Sequence, residues 1–338
     1  MSKPEQSLQK AQFVEIDDDM AGQRVDNFLL ARLKGVPKSR VYRILRKGEV
    51  RVNKGRIRAD YRLKEGDLLR IPPIRLEESE PKGKPGQGLV KLLEDAILLE
   101  TDALMVVNKP AGLAVHGGSG INLGLIEALR GMRPHSRFLE LVHRLDRGTS
   151  GCILIAKKRS MLRHLQAELR EKSHGGSRGS GEHGNIAKVY HALVAGRWPN
   201  RRKRIEMPLQ RYELPSGDRI VRISPQGKPS LTEFEVLERY RDATLIEARP
   251  ITGRTHQIRV HAQSVGHPLV GDDKYGDDDF NKEMRSLGFK RLFLHAAALS
   301  FCLPGETQTL TVEAPLAGDM VEALARLAPL ETVNDQAD

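Results

Sequence analysis

Two cysteines in 338 residues leave no room for a disulfide framework or a zinc-finger pattern. Cys152 and Cys302 lie far apart, each in an apolar stretch, which suits two buried, reduced thiols in a reducing cytoplasm. Long apolar runs are missing as well. Nothing nears the roughly 20 apolar residues of a spanning helix. The opening MSKPEQSLQKAQFVEIDDDM lacks the apolar segment of a secretory leader. Acidic residues are in deficit, 44 Asp+Glu against 55 Lys+Arg, for a net charge of +11. Such a balance favours a polyanionic partner, and the absence of apolar segments favours nucleic acid over a membrane. Aromatics make up only 4%, so each patterned tyrosine carries weight.

The remaining composition, 39% hydrophobic and 29% charged, is that of a globular chain with enough length for a sizeable core. Residues 1–21 read as a flexible lead-in. Residues 22–75 form a compact basic unit with a helix–helix–hairpin plan. Val25, Phe28, Leu29 and Leu33 keep helical spacing. Ser39 then offers an N-cap, Val41, Ile44 and Leu45 form a stripe, and Gly48 ends the helix. VRVN, a turn at Lys54–Gly55 and a strand near DLLRIP complete the unit. Between 32 and 58 stand eleven basic residues and one acid, Glu49. Arg40, Arg43 and Lys47 share one helical face. A solvated face normally mixes signs; this one hardly does, which favours phosphate contacts by Arg40, Arg43, Arg46, Lys47 and Arg51.

Residues 76–91 read as a charged, Pro/Gly-rich linker. From 92 to 326 short strand-like runs dominate, interrupted by helices near 160–172 and 319–327. Residues 327–338 form an acidic tail. Strands without regular helical alternation predict an α+β fold with a mostly antiparallel mixed sheet. HGGSRGSGEHG, residues 174–184, is an insertion with no assigned function.

The chemistry concentrates in a few stretches. HRLDRGTSG, residues 143–151, sets Asp146 between Arg144 and Arg147. Read as a strand over 141–147, alternation puts Arg144 and Asp146 on one face. A guanidinium beside a carboxylate favours its charged form, which suits a nucleophile, a base or a structural salt bridge. Residues 248–276 gather Arg249, Arg254, His256, Arg259, His261 and His267, with Asp272 and Asp273 after them. The run either binds anions or lines a site, and its spacing matches no standard metal motif. NKPAGLAVHGGSG, residues 108–120, lacks the order of a phosphate-gripping loop. Tyr190, in AKVYHALVAG, is a core residue unless it faces a base-binding cleft, where its ring could stack on a nucleobase.

Together these stretches resemble the pseudouridine synthases that modify ribosomal and transfer RNA. HRLDRGTSG looks like that family's aspartate motif, KVYHALVAG and TGRTHQIRVHAQSVGHPLVGDDKYG like its tyrosine and arginine motifs, and NKPAGLAVH like its first motif. The 22–75 unit resembles the small RNA-binding domain first described in a ribosomal small-subunit protein. The resemblance implies that Asp146 is the nucleophile, that Tyr190 stacks on the target base and can act as a base at the ribose, and that Arg259 rather than Arg254 pairs with Asp146. It implies that Arg144 fills the RNA stack vacated by the flipped uridine. It also implies a monomeric, cytoplasmic isomerase without a cofactor, since the reaction involves no redox step or net hydrolysis. Its partner would be large-subunit ribosomal RNA or a pre-ribosomal particle. Two other readings use the same residues: a metal-dependent nuclease built on Asp272, Asp273 and histidines, and a non-catalytic RNA-binding assembly protein.

Overall fold

Apolar residues on one side of each element fold the basic N-terminal segment. The computed structural model describes residues 11–17, 20–33, 36–74, 85–117, 123–136, 138–173, 186–201, 203–214 and 218–328. In α1 (Val25–Arg32), Val25, Phe28 and Leu29 are buried. In α2 (Lys38–Arg46), Val41, Ile44 and Leu45 point inward, while Arg43, Arg46 and Lys47 are exposed and Arg40 is half-buried. The helix starts directly after Pro37, whose fixed φ and missing N–H suit a helix entry. Ser39, expected as the N-cap, lies inside the helix. Gly48 ends the chain's helical path at φ +69, and a Cβ there would stand 2.1 Å from Arg56 Nε.

A four-stranded sheet of order β1-β4-β2-β3 covers these helices, from β1 (Gln12–Glu15), β2 (Arg51–Val52), β3 (Gly55–Arg56) and β4 (Leu68–Ile71). The hairpin turns at Asn53–Lys54, with φ of 49° and 67°, one residue before the expected Lys54–Gly55. Two positive φ values are what a tight two-residue hairpin demands. The expected lead-in is also corrected. Its residues 12–15 pair with β4, because Val14 and Ile16 bury against the same core as Leu29, Val41 and Leu69.

The contacts divide the chain into two units between residues 84 and 85. Residue 75 and residues 76–84 of the expected linker lie outside the described residues, and the linker's expected end is already helical. The 174–184 insertion and residues 329–338 of the tail lie outside them too. The second unit runs α3 (Gln87–Asp95), β5 (Ile97–Glu100), β6 (Leu104–Lys109), α4 (Leu125–Met132), β7 (Glu140–Leu141), β8 (Ser150–Ala156) and α5 (Arg159–Ser173). It continues through β9 (Ala187–Ala195), β10 (Arg204–Glu206), β11 (Leu209–Glu213), β12 (Arg219–Ile223), β13 (Leu231–Arg239) and β14 (Ala243–Pro250). It closes with α6 (Gln257–Ser264), α7 (Asp278–Ser286), β15 (Leu294–Cys302), β16 (Thr309–Glu313) and α8 (Gly318–Leu324). The expected helices near 160–172 and 319–327 are α5 and α8; α3, α4, α6 and α7 are additional.

Ten strands form one sheet of order β10-β13-β14-β9-β15-β8-β6-β5, with β16 on β15 and β7 on β8. Its pairs are antiparallel except β8–β15, so the fold is the expected α+β with a mostly antiparallel mixed sheet. β8 is buried along its whole length, as CILIA predicts for a central strand. Gly151 lets β15 approach: its φ is +105, and a Cβ would stand 2.2 Å from Ala296 O. Both cysteines are buried and unpaired. Among the described residues no helix is long and apolar enough to cross a membrane.

Five histidines (His143, His191, His256, His261 and His295) are each held below the usual imidazole range by burial, His143 at about 3. The unfolded chain takes up these protons near pH 6.5, whereas the folded chain does so only at lower pH. Between those limits the unfolded state binds more protons, so stability is full above about pH 6.5 and declines as pH falls. The melting temperature should therefore drop between pH 7 and pH 4.5. A flat profile over that range would show that these imidazoles titrate freely.

Candidate active site

The aspartate motif is a stitched loop rather than the expected strand, since β7 stops at Leu141 and β8 begins at Ser150. Arg147 O accepts from Gly112 N at 2.8 Å, and Arg147 Nε donates to Gly112 O at 2.9 Å. Beneath it the wholly buried Lys109 gives its ammonium to Pro110 O and Leu113 O at 2.9 Å and to Arg147 O at 3.3 Å. Burial pulls that ammonium down to about 7, partly opposed by the charge of Asp146. NKPAG thus braces the aspartate loop from below. Turn and lysine together aim Asp146 into a cavity of about 550 Å³.

The second wall comes from α6. Gln257 is buried and fixes the turn before the helix. Its Oε1 accepts from Thr252 Oγ1 at 2.7 Å and Arg254 N at 3.0 Å, and its Nε2 donates to Leu231 O and Thr232 Oγ1 at 2.9 Å. Two residues on, Arg259 hydrogen-bonds two carboxylates and has the exposed Asp273 Oδ1 at 3.7 Å from Nη2. It grips Asp272 with two bonds, Nε at 2.7 Å and Nη2 at 2.6 Å, and donates from Nη1 to Asp146 Oδ2 at 3.1 Å. Burial opposes the charge on Arg259, but Asp272 and then Asp146 outweigh it and keep the guanidinium charged. Burial likewise opposes the Asp272 carboxylate, which Arg259 and the amides of Lys274 and Tyr275 hold below its ordinary range. Both Asp272 oxygens are spent on these partners, which removes the aspartate from the nuclease reading. Arg254 lines the cavity but donates to Pro229 O at 3.1 Å and has no contact with Asp146.

Tyr190 lies on β9, opposite Ala248 of β14 and Ala296 of β15. These two small neighbours leave its ring bordering the cavity. Burial, then the charge of Asp146, pushes the phenol above its usual range, so the hydroxyl is neutral. Its oxygen has no hydrogen-bond partner among the described residues. Seven basic side chains line the cavity (Arg144, Lys188, Arg211, Arg219, Arg254, Arg259 and Lys274), and Asp146 is the one carboxylate among its lining residues. A concave basic wall around a lone carboxylate can hold a polyanion and present one nucleotide to one nucleophile.

The structure thus brings Asp146, Tyr190, Arg259, Arg144 and Arg254 to one cavity, although the motifs lie far apart in the chain. Arg40, Arg43, Arg46, Lys47 and Arg51 belong to the other unit. There, three guanidiniums cap the end of α2: Arg56 on Lys47 O at 2.8 Å, Arg51 on Gly48 O at 3.2 Å and Arg70 on Glu49 O at 2.8 Å. In the pseudouridine synthase reading the sequence assigned no role to Lys109, His256, Asp272 or Tyr275; Asp272 entered only the nuclease reading. Their signal was present in NKPAG and GDDKYG, but partners remote in sequence gave each its meaning.

A ten-stranded mixed sheet with a lone carboxylate in a basic cleft, preceded by a small basic domain, fits an enzyme that acts on a polyanion. The profile described as "RNA pseudouridylate synthase" matches residues 103–264, and the S4 domain profile matches residues 23–69. A "Ribosomal large subunit pseudouridine synthase C" from Pasteurella multocida is 53% identical over 327 residues, covering 96% of this chain and 97% of its own. A protein of the same name from Haemophilus influenzae is 55% identical over 313 residues, covering 92% and 94%. The solved structure "Human RNA Pseudouridylate Synthase Domain Containing 4" superposes with a TM-score of 0.56 at 27% identity, over 71% of this chain and 95% of that one. The chain belongs to the RNA pseudouridylate synthase family: it is an isomerase that converts uridine to pseudouridine in RNA.

Proposed function

We propose that this isomerase acts on uridines of large-subunit ribosomal RNA, free or in pre-ribosomal particles, as a cytoplasmic monomer. The observation that carries the substrate is near-full-length identity of 53–55% to proteins named for that RNA, across both units. A site completed within one chain supports the monomer. In this reading Asp146 is the nucleophile. The reaction breaks the N1–C1′ bond, turns the base and rejoins it through C5, and one carboxylate serves attack at C1′, attack at C6 or assisted elimination at C2′. Arg259 holds the carboxylate, Tyr190 stacks on the flipped base, and Arg144 occupies the space it leaves in the RNA. Extraction costs a few kcal/mol, offset by stacking and phosphate contacts. Those contacts come from the cavity rim and from Arg40, Arg43, Arg46, Lys47 and Arg51 on the other unit.

Pseudouridine mapping of large-subunit ribosomal RNA from cells lacking this protein tests the substrate. Positions lost in those cells should return with the wild-type gene and stay lost with Asp146→Asn; an unchanged map would remove ribosomal RNA as the target. Tyr190→Phe separates the two roles of the tyrosine. The ring remains, so RNA affinity should hold. If the hydroxyl takes a proton at the ribose, turnover should fall by about 10²–10⁴, the usual worth of a positioned base. Because the phenol is neutral, it takes that proton only while giving its own to an acceptor in the same step. Turnover near wild type would leave stacking as its single role.

A further inference from the structure

His256 faces the same carboxylate as Arg259 and no role has been given to it. Its backbone is left-handed, φ 53 and ψ 22, at the head of α6, a conformation costing a non-glycine residue about 1–2 kcal/mol. It is retained where the surroundings demand it. The imidazole Nδ1 lies 2.7 Å from Tyr275 Oη, and that same oxygen accepts from Val221 N at 2.8 Å. Tyr275 Oη has one proton to give, and Nδ1 is its one acceptor among the described residues. The hydroxyl therefore donates to Nδ1, and the neutral ring carries its hydrogen on Nε2. Nε2 faces Asp146 Oδ2 at 3.7 Å, a direction in which a lone pair would be repelled and an N–H is attracted. Tautomer and charge agree.

Arg259 Nη1 also donates to Oδ2, so both polar neighbours of the carboxylate stand on one oxygen. Oδ1 has no partner among the described residues and keeps its lone pairs for the cavity. We infer that His256 is a positioning residue: through a tautomer fixed by Tyr275, its Nε2–H joins Arg259 on Asp146 Oδ2 and turns Oδ1 toward the nucleotide. The separation of 3.7 Å is beyond a hydrogen bond, and closing it belongs to the RNA-bound state, as catalytic contacts commonly tighten on binding. The charged groups around the ring are Asp146 and Asp272 on one side of the balance and Arg259 and Lys274 on the other. Burial, the larger influence, keeps the imidazole below its free range, in the neutral form the tautomer requires.

The inference rests on Asp146 being the reacting group, and the experiment keeps the two apart. Full-length wild type, Asp146→Asn, His256→Phe, His256→Gln and Tyr275→Phe are compared for kcat, KM and melting temperature on one uridine-containing ribosomal RNA fragment. His256→Phe keeps a flat ring without a donor, and kcat should fall by about 100-fold with KM within about 3-fold, as for a misplaced reacting group. The Gln side chain returns an N–H at comparable reach and should recover at least about 10-fold of that loss. Tyr275→Phe frees the tautomer and should lower kcat by about 10-fold, again without moving KM. Wild-type kcat in His256→Phe, or His256→Gln no better than a folded His256→Phe, overturns the inference. Should His256→Phe not fold, an unchanged kcat in Tyr275→Phe overturns it. An active Asp146→Asn instead overturns the underlying role of Asp146.

Discussion

Asp146→Asn should reduce turnover below detection while RNA binding stays within a few-fold of wild type. The amide keeps the size and shape of the carboxylate and removes the charge that attacks in the proposed mechanism. On the proposed reading binding survives, because phosphate contacts would come from other side chains, on the cavity rim and on α2, which position RNA without taking part in chemistry. Stability should change little, by about 1 kcal/mol. Asp146 is 29% exposed, and its partner Arg259 retains both bonds to Asp272. A structural salt bridge would give the opposite pattern, a destabilised protein whose folded fraction still makes pseudouridine. Melting temperature and tritium release from C5-labelled uridine, read on one sample, separate the two. A folded Asp146→Asn protein with near-normal release ends the nucleophile assignment.

Arg259→Met should cost both activity and stability, for reasons that can be pulled apart. The Asp272 side chain is 0% exposed, and without the guanidinium its charge keeps only the amides of Lys274 and Tyr275. Breaking a buried pair from one side costs about 3–5 kcal/mol, or on the order of 10 °C in melting temperature for a unit of this size. Lysine is no substitute, because one ammonium cannot grip Asp272 with two bonds and still reach Asp146. Replacing both partners, as Arg259→Met with Asp272→Leu, should recover much of the melting temperature, since no buried charge is left alone. Turnover should stay lost in that double variant, because Asp146 is no longer held. A wild-type melting temperature in Arg259→Met would show that Asp272 does not depend on the arginine.

Where the pattern of side chains was binary, sequence and structure agree. Val41, Ile44 and Leu45 on one face and Arg43, Arg46 and Lys47 on the other specify α2, and CILIA specifies the buried β8. Helix α6 shows why the rest was hidden. Its buried residues include Gln257, Arg259 and His261, so the hydrophobic periodicity that marks a helix is replaced by polar groups satisfied one by one in the interior. His261 is held by Ser230 Oγ at 3.0 Å and Thr232 Oγ1 at 2.9 Å. The aspartate loop misled in the other direction. HRLDR alternates like a strand, but in the fold Gly112 and Lys109 bond Arg147 and its backbone runs as a loop instead.

The sequence by itself determined the basic helix, the α+β class, the family motifs and the residue types of the site, because each is written in a local run of side chains. Tertiary structure alone decided which charges meet. Arg259 and Asp146 are 113 residues apart. Arg254 in the same motif turns away to Pro229 O, and His256 gains a defined tautomer from Tyr275 and Val221. Electrostatic and hydrogen-bond partners are chosen by distance in space and by what else each group must satisfy, and neither quantity exists until the sheet has closed around them.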